Sequence, residues 1–519
     1  MKVLLILEYI VNLVLLLIYS MHMFQLNSYL LKKHMHWMKN NLWKIFFQLI
    51  LIAIPSIVIL ITQNIILQIC ACLIIVISIF TNLPKKNAKI SLKLTSRVKR
   101  MFITELIFIL ASMFILGIDK FIIEKLFILN LLAPFIMIFA NIINKPIEKM
   151  VRNWYINDAK KILKEMPNLT VIGITGSFGK TSVKNFLNKT LSSKYDVLIT
   201  PKNYNTTMGV VKTIRENLKA THQIFICEMG ATHVGDIKEI CDLVNPTIGV
   251  ITSVGPQHLE TFGSIENVIK TKFELADSVL KNGGTIFLNY NNEYIASQKL
   301  EGKVISYGVG NENFDYNAYD LKSSSKGLTF KINDKNKELK TNNEIEFKTK
   351  LIGKHNITNI TAAIAVANFL GIKIEKLIPK VREIEGVEHR LQLIPHGDLC
   401  VIDDSYNANP VSSKSAIDTL AEFEGTNILV TPGLIELGDL EEKYNYELGE
   451  YAAEKCDYIY LVGENHSKPV LEGVKSKGFD ENKLFIVSSP NEAMQKIGLL
   501  GIQGKVNVLL ENDLPDNYN

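Results

Sequence analysis

VIGITGSFGKTSVKNFL, residues 171–187, turns from a β-branched run into a glycine-punctuated bend, a lysine, two hydroxyls and then a helix-like pattern. A phosphate loop spaced GxxxxGK followed by Ser or Thr has its first glycine where this chain has Ile174; Gly173 and Gly176 stand here instead. The ending Gly179-Lys180-Thr181 still falls between a strand and a helix, where backbone N–H groups point at phosphate oxygens. Thr175, Gly176, Ser177, Gly179 and Ser182 make up the rest of that cradle. In it Lys180 neutralises the β/γ charge of a triphosphate and the Thr181 hydroxyl ligates Mg²⁺.

The pattern around the loop sets the fold class. TVIGIT, DVLIT, IFICEM, TIGVITSV and TIFLNY read as strands, with TSVKNFLNKTL, GVVKTIRENL, VGDIKEICDLV and SIENVIKTKFELADSVL as the helices between them. Such alternation predicts a parallel sheet with helices on both faces, over residues 169–385. KVISYGV and GLTFKIND, within 300–350, read as a small antiparallel insertion. A second alternation (LCVIDDSY, TNILVTPG, CDYIYLVG, KLFIVS, KVNVLLEN) predicts a separate Rossmann-like α/β domain over 386–519.

Ahead of these domains, residues 1–150 hold five apolar segments at 3–24, 43–62, 64–82, 102–118 and 125–144. Each is near the ~20 residues that cross a bilayer as a helix. The first lacks a small-x-small cleavage pattern, which argues against a removed signal. Lys32, Lys33 and Lys39 form one cationic loop, and Lys85, Lys86, Lys89, Lys93, Arg97, Lys99 and Arg100 another. Lys145, Lys149, Arg152, Lys160 and Lys161 follow the fifth segment, whereas the 118–124 link has Lys120 beside Asp119 and Glu124. Cationic loops stay cytoplasmic. The expectation is an α-helical unit of five transmembrane helices, multi-pass in the cell membrane, with an outside N-terminus and cytoplasmic catalytic domains. Val151, Trp154, Tyr155, Ile162, Leu163 and Met166 recur at helical spacing, so 151–168 reads as an amphipathic linker helix at the bilayer surface.

Residues 1–161 carry 19 Lys or Arg against 6 Asp or Glu, and the remainder carries 38 against 46. An acidic body argues against a nucleic-acid partner. The six cysteines include no CxxC pair, which argues against a disulfide framework or a zinc site.

Beyond the loop, NYNTTMGV (203–210), EMGATHVGDI (228–237), GPQHLETFGSIENVIKTKFEL (255–275), GKHNITNITAAIAVA (353–367), EHR (388–390) and DDSYNANP (403–410) resemble the Mur ligase family, in the family's order. The resemblance covers about residues 155–510, and EMGATHVG and DDSYNANP are most similar to the member that adds D-alanyl-D-alanine to the cell-wall precursor tripeptide. It implies an ATP-dependent, ADP-forming ligase of peptidoglycan synthesis that works through an acyl phosphate. Glu228, at a strand's carboxyl end, is then expected to hold Mg²⁺ with Thr181. His258 is expected to bind a second Mg²⁺, supported by Lys272 as a carbamate, and together with Lys180 these make up the catalytic set. Asn359 is implied as the adenine reader, Arg390 as a phosphate contact and Asp404 as the ribose contact. Asn203, Asn205, Thr206, Tyr406 and Asn407 are implied on the substrate side. The partners implied are a nucleotide- or lipid-linked peptidoglycan precursor, an amino acid or dipeptide, and the membrane.

Two departures stand out. Relatives that build soluble precursors carry a UDP-sugar-binding domain where this chain has apolar segments, and the chain ends VNVLLENDLPDNYN where a lysine–glycine–serine turn usually helps hold the dipeptide. They leave open a lipid-linked or polymeric substrate, as in poly-γ-glutamate synthetases, and, in another class, an ATP-dependent membrane transporter or scaffold.

Overall fold

The computed structural model describes residues 2–27, 29–81, 91–115, 121–335, 345–406, 408–464 and 466–513. Lys85, Lys86, Lys89, Asp119, Lys120, Asn407 and the terminal run 514–519 lie outside the described residues. The chain divides into two compact units, Met1–Trp154 and Tyr155–Leu514.

The first unit is helical: α1 Lys2–Leu26, α2 Leu31–Asn40, α3 Leu42–Ile61, α4 Ile65–Thr81, α5 Ser96–Ile115 and the start of α6 Ile122–Lys164. Each expected apolar segment overlaps one of these helices, but the described residues do not clearly show the expected five crossings. Among the described residues, three helices are long and apolar enough to span a bilayer: Val3–Leu26, Leu42–Ile59 and the 43-residue α6. Ile65–Phe80 is apolar but shorter, and α5 carries Arg97, Lys99, Arg100 and Glu105 in its 20 residues. The expected separate linker helix is also corrected. Residues 151–164 continue α6 without interruption, although Pro134 and Pro146 lie inside it. Apolar packing in this unit gathers Leu5, Tyr9, Leu13, Ile52, Ile75, Leu129 and Ile136. Leu4, Leu7, Trp43, Phe46, Ile61 and Phe114 are turned outward.

The second unit holds both predicted α/β domains. Its first sheet comprises β1 Thr170–Thr175, β2 Val197–Ile199, β3 Ile224–Glu228, β4 Ile248–Ile251, β5 Thr285–Asn289, β6 Lys303–Val309, β7 Tyr316–Ser324, β8 Gly327–Asp334 and β9 Ile345–Thr349. They lie in the order β2-β3-β1-β4-β5-β6-β7-β8-β9. Side chains alternate across a strand, so Val171 joins one core and Ile172 the other. Helix α7 Lys180–Leu191 covers the Ile172 face with Val183, Phe186 and Leu187, together with helix His355–Phe369. Helices α8 Thr207–Asn217, α9 Asp236–Val244 and, after the short α10 Leu259–Phe262, α11 Ile265–Lys281 cover the Val171 face. Burial on both faces is why these strands read as continuous apolar runs.

The expected antiparallel insertion is corrected in part. KVISYGV is β6, which pairs parallel with β5, and β7 pairs parallel with β6. Only the β7–β8 and β8–β9 pairs are antiparallel, and they extend the main sheet.

The C-terminal sheet comprises β10 Gln392–His396, β11 Leu399–Asp404, β12 Thr426–Thr431, β13 Tyr458–Val462, β14 Leu484–Val487 and β15 Val506–Glu511. Its order is β10-β11-β15-β12-β13-β14, parallel except for the β10 edge.

Candidate active site

The bend after β1 passes too close to β4 for a side chain. A Cβ on Gly176 would lie 2.1 Å from Thr252 Oγ1 and 2.9 Å from Ser253 N. Gly179 caps α7 at φ 81°, in the left-handed region that glycine enters without strain, and a Cβ there would meet Asn359 Oδ1 at 2.7 Å. The residues after β4 pin the bend. Ser177 N donates to Ser253 O at 2.8 Å, Phe178 N to Ser253 Oγ at 2.8 Å, and Ser177 Oγ to Gly255 O at 3.0 Å. Thr175 Oγ1 donates to Met229 O at 3.0 Å. Thr175 and Ser177 thus shape the cradle, whereas the hydroxyls of Thr181 and Ser182 stand in the first turn of α7, partly exposed.

Lys180 Nζ bridges this bend, donating to Gly176 O at 2.6 Å and Ser177 O at 3.1 Å. Burial lowers its pKa to about 8, with Glu228 pulling the other way. An ammonium has three donors, so one remains beyond these two bonds.

Glu228 ends β3 beside the bend. Its Oε1 accepts from Thr181 Oγ1 at 3.2 Å and from Asn205 Nδ2 at 3.1 Å. Its Oε2 lies 2.9 Å from Lys184 Nζ, both side chains being 2 % exposed. Burial pushes the carboxyl pKa up, but the Lys184 and Lys180 ammoniums outweigh it and hold it below its ordinary value. A hydroxyl and a carboxylate side by side are hard oxygen donors, as suits a Mg²⁺ held mainly by phosphate and water. Among the described residues no three His, Cys, Asp or Glu side chains gather into a metal cage. The set therefore fits a nucleotide-borne Mg²⁺ and not a self-sufficient metal centre.

Lys272, on α11, is buried. Burial, with the nearby Lys180 charge second, lowers its pKa to about 7, and its Nζ stands 5.9 Å from the Phe262 ring. His258, the residue before α10, turns its Nδ1 to Glu436 Oε2 of the C-terminal domain in a short hydrogen bond.

Arg390 and Asp404 reach the same region from the C-terminal domain. The Arg390 guanidinium lies over the Tyr406 ring at 4.3 Å. Burial lowers its pKa against the opposing pull of Asp404, Tyr406 and Glu228, which places it within electrostatic reach of the phosphate-loop carboxylate. Asp404 Oδ1 accepts from Leu391 N at 3.2 Å, and burial pushes its pKa up to about 6 against the opposing Arg390 charge.

The expected substrate-side residues do not form one group. Asn205 is committed to Glu228, and Thr206 caps α8, accepting from Gly209 N at 3.3 Å. Asn203 is exposed, Tyr406 lies under Arg390, and Asn407 is outside the described residues. Asn359 lies against Gly179 at the phosphate bend, while Asn356 Nδ2 donates to Ile352 O at 2.8 Å and is a helix-start contact. Reading the sequence missed Lys184, Ser253 and Glu436. Lys184 stands one helical turn after Lys180, a spacing that could have flagged it. Glu436 is 178 residues from His258, and no local pattern joins them.

Residues 174–367 match the Mur ligase middle domain and residues 389–509 the Mur ligase glutamate ligase domain. The UDP-N-acetylmuramoyl-tripeptide--D-alanyl-D-alanine ligase of Bacillus subtilis is 33% identical over 343 residues, 65% of this chain and 72% of that protein. The Haemophilus influenzae enzyme of the same name is 31% identical over 362 residues, 67% of this chain and 76% of its own. Among solved structures, MurF from Acinetobacter baumannii superposes with TM-score 0.63 and 26% identity, covering 70% of this chain and 77% of that one. The MurF ligase from Thermotoga maritima in complex with ADP shares the fold, with TM-score 0.61 and 23% identity over 69% of this chain and 80% of that one. With both of its domains present in order behind a phosphate loop of this geometry, the chain belongs to the Mur ligase family and is an ATP-dependent, ADP-forming carbon–nitrogen ligase.

Proposed function

We propose that this ligase joins D-alanyl-D-alanine to a UDP-N-acetylmuramoyl-tripeptide, working from the cytoplasmic side of a membrane that its first unit spans. The observation that carries the reaction is the Thr181 hydroxyl set on the Glu228 carboxylate beside the bend that Lys180 bridges. The names of the similar enzymes support the substrate pair.

In this reading the tripeptide carboxylate attacks the γ-phosphorus of ATP, forming an acyl phosphate as the bond to ADP breaks. The dipeptide amine then attacks the acyl carbon, loses a proton, and expels phosphate as the amide forms. Lys180 and the N–H groups of the bend bind the phosphate oxygens and stabilise the charge that develops on them. Thr181 and Glu228 would hold Mg²⁺, which would supply neutralisation of phosphate charge. By the resemblance, Asn359 would take the base, Asp404 the ribose and Arg390 a phosphate. Burial lowers the Lys272 pKa to about 7, so near neutral pH a substantial share of it is neutral amine, the form that adds CO₂ and sheds a proton to become a carbamate. That carbamate, with His258, would hold the second Mg²⁺. The C-terminal domain excludes water, which would otherwise hydrolyse the acyl phosphate.

The dipeptide end departs from the usual pattern. Glu511 begins the ENDLPD run, and its carboxyl is 1 % exposed, accepting from Ser413 Oγ and from Thr431 Oγ1. It is internal architecture and offers no charge to an incoming dipeptide.

Three apolar helices favour a second reading, a lipid-linked or polymeric acceptor at the membrane. Full-length protein in detergent is incubated with Mg·ATP and, in separate arms, UDP-linked tripeptide plus D-alanyl-D-alanine, lipid-linked muropeptide plus the dipeptide, and glutamate alone. ADP release and an amide of the expected mass in the first arm alone support the proposal. Product only in another arm moves the assignment there, and no ADP or amide in any arm ends it.

A further inference from the structure

We propose that Glu436 is a positioning residue. It fixes the tautomer and plane of the His258 ring, so that docking of the C-terminal domain presents His258 as a ligand. The inference rests on the reading above in which His258 serves the metal–phosphate site.

Both residues are held in unusual backbone. His258 has φ 50° and Glu436 φ 62°, left-handed conformations that side chains other than glycine seldom adopt and that persist only where the surroundings impose them. The two meet through His258 Nδ1 and Glu436 Oε2, and Glu260 N adds a contact to Glu436 O at 3.4 Å. The side chains keep 24% and 29% of their exposure, so the pair is not sealed in a core.

Glu436 is delivered by a built arm. From Thr431, the last residue of β12, the chain runs to Leu437 and is tied along its length. Thr431 Oγ1 donates to Glu511 Oε2 at 2.7 Å and accepts from Gly433 N at 3.1 Å. Asn512 Nδ2 donates to Gly433 O at 2.7 Å. Asn445 holds Leu434 from both sides, accepting from its N at 2.7 Å and donating to its O at 2.9 Å. Leu434 and Leu437, on either side of Glu436, are each 2% exposed in the C-terminal core. An arm anchored before and after one acidic residue aims that residue; it does not let it wander.

A carboxylate can only accept, so the neutral ring it meets carries its proton on Nδ1 and leaves the Nε2 lone pair free. Partners of this kind orient histidine ligands and fix which nitrogen binds. Here the partner sits on the other domain, 178 residues along the chain. Undocked, His258 would lose the partner that selects Nε2. The same contact that closes the two domains thus prepares the ligand.

The test uses full-length protein in detergent, labelled with ¹⁵N-histidine and free of metal, with the His258 signals identified by their loss in His258→Gln. Long-range ¹H–¹⁵N spectra are expected to show Nδ1 protonated in the native protein and in Glu436→Gln, whose carbonyl can accept the same bond. They are expected to show a mixed or Nε2-protonated ring in Glu436→Met. If Glu436→Met does not fold, Glu436→Asp, one methylene short, is read the same way. Turnover is expected to fall about 10–100-fold in kcat for Glu436→Met, with KM for ATP little changed and recovery in Glu436→Gln. An unaltered tautomer, or an unaltered kcat, overturns the proposal. Mn²⁺ with ADP is then added to native protein. Broadening of the His258 ring signals is expected, and a changed tautomer without that broadening would instead sink the reading of His258 as a ligand.

Discussion

Lys180 donates to two carbonyls of its own bend and lies near Glu228, so its loss removes charge from the phosphate site without opening a core. Lys180→Ala is expected to lower ADP formation by about 10²–10³-fold with an unchanged circular dichroism spectrum; retained turnover would show that the bend binds no phosphate. Lys272 is tested by rescue. Lys272→Ala should be inactive and regain part of its activity with added short carboxylates, and absence of rescue argues against a carbamate. Glu511 bears on stability. Burial pushes its pKa from 4.5 to about 7, with the Ser413 and Thr431 bonds opposing. A carboxyl that binds its proton more tightly when folded loses stability as pH rises from about 4.5 through about 7, and the full cost stands above that. Glu511→Gln is expected to stabilise the fold at pH 8 by on the order of 3 kcal/mol, seen as a higher thermal midpoint, and to lose that advantage below pH 5. A wild type more stable than the variant at pH 8 would refute this.

Elements were legible where they are local. TVIGIT and KVISYGV coincide with β1 and β6 residue for residue, and TIFLNY overruns β5 by one, because an apolar run between polar turns marks a strand by its own composition. The bend between β1 and α7 was legible for the same reason, and it carries a prediction. Gly176→Ala places a methyl against Thr252 Oγ1 and Ser253 N; nucleotide affinity is expected to collapse and the thermal midpoint to fall, and normal ADP binding by calorimetry would refute the tight approach. Two elements were misread. The amphipathic spacing over 151–168 reads as a linker helix of its own. In the fold residues 151–164 continue α6, which absorbs Pro134 and Pro146. The strands after β5 looked antiparallel because their alternating pattern is that of a half-exposed sheet. Pairing partners decide direction, and β6 found β5.

At the scale of the molecule, the break at Trp154 leaves Tyr155–Leu514 with its own cores, made of both faces of each sheet. A fragment of residues 155–519 is therefore expected to fold in water and bind ATP. Full-length protein is expected to stay with membranes through alkaline carbonate and to leave only in detergent. Release by carbonate would contradict a spanning role for α1, α3 and α6. The fragment also separates chemistry from place. If it joins UDP-linked tripeptide to D-alanyl-D-alanine at the full-length rate, the first unit governs location and not substrate.

The sequence by itself determined the phosphate bend, the alternation of strands and helices, and the apolar character of the first 150 residues. Each of these is written in residue type at short, fixed spacing. Only the tertiary structure decided that Lys184 neutralises Glu228, that Asn205 donates to Glu228 and Thr206 caps α8, and that Glu436 meets His258. The physical reason is that a buried charge or a strained backbone is settled by whatever lies opposite it in space. For these residues the partner stands tens to hundreds of positions away along the chain, or is the backbone amide of a turn that forms only when the helix does.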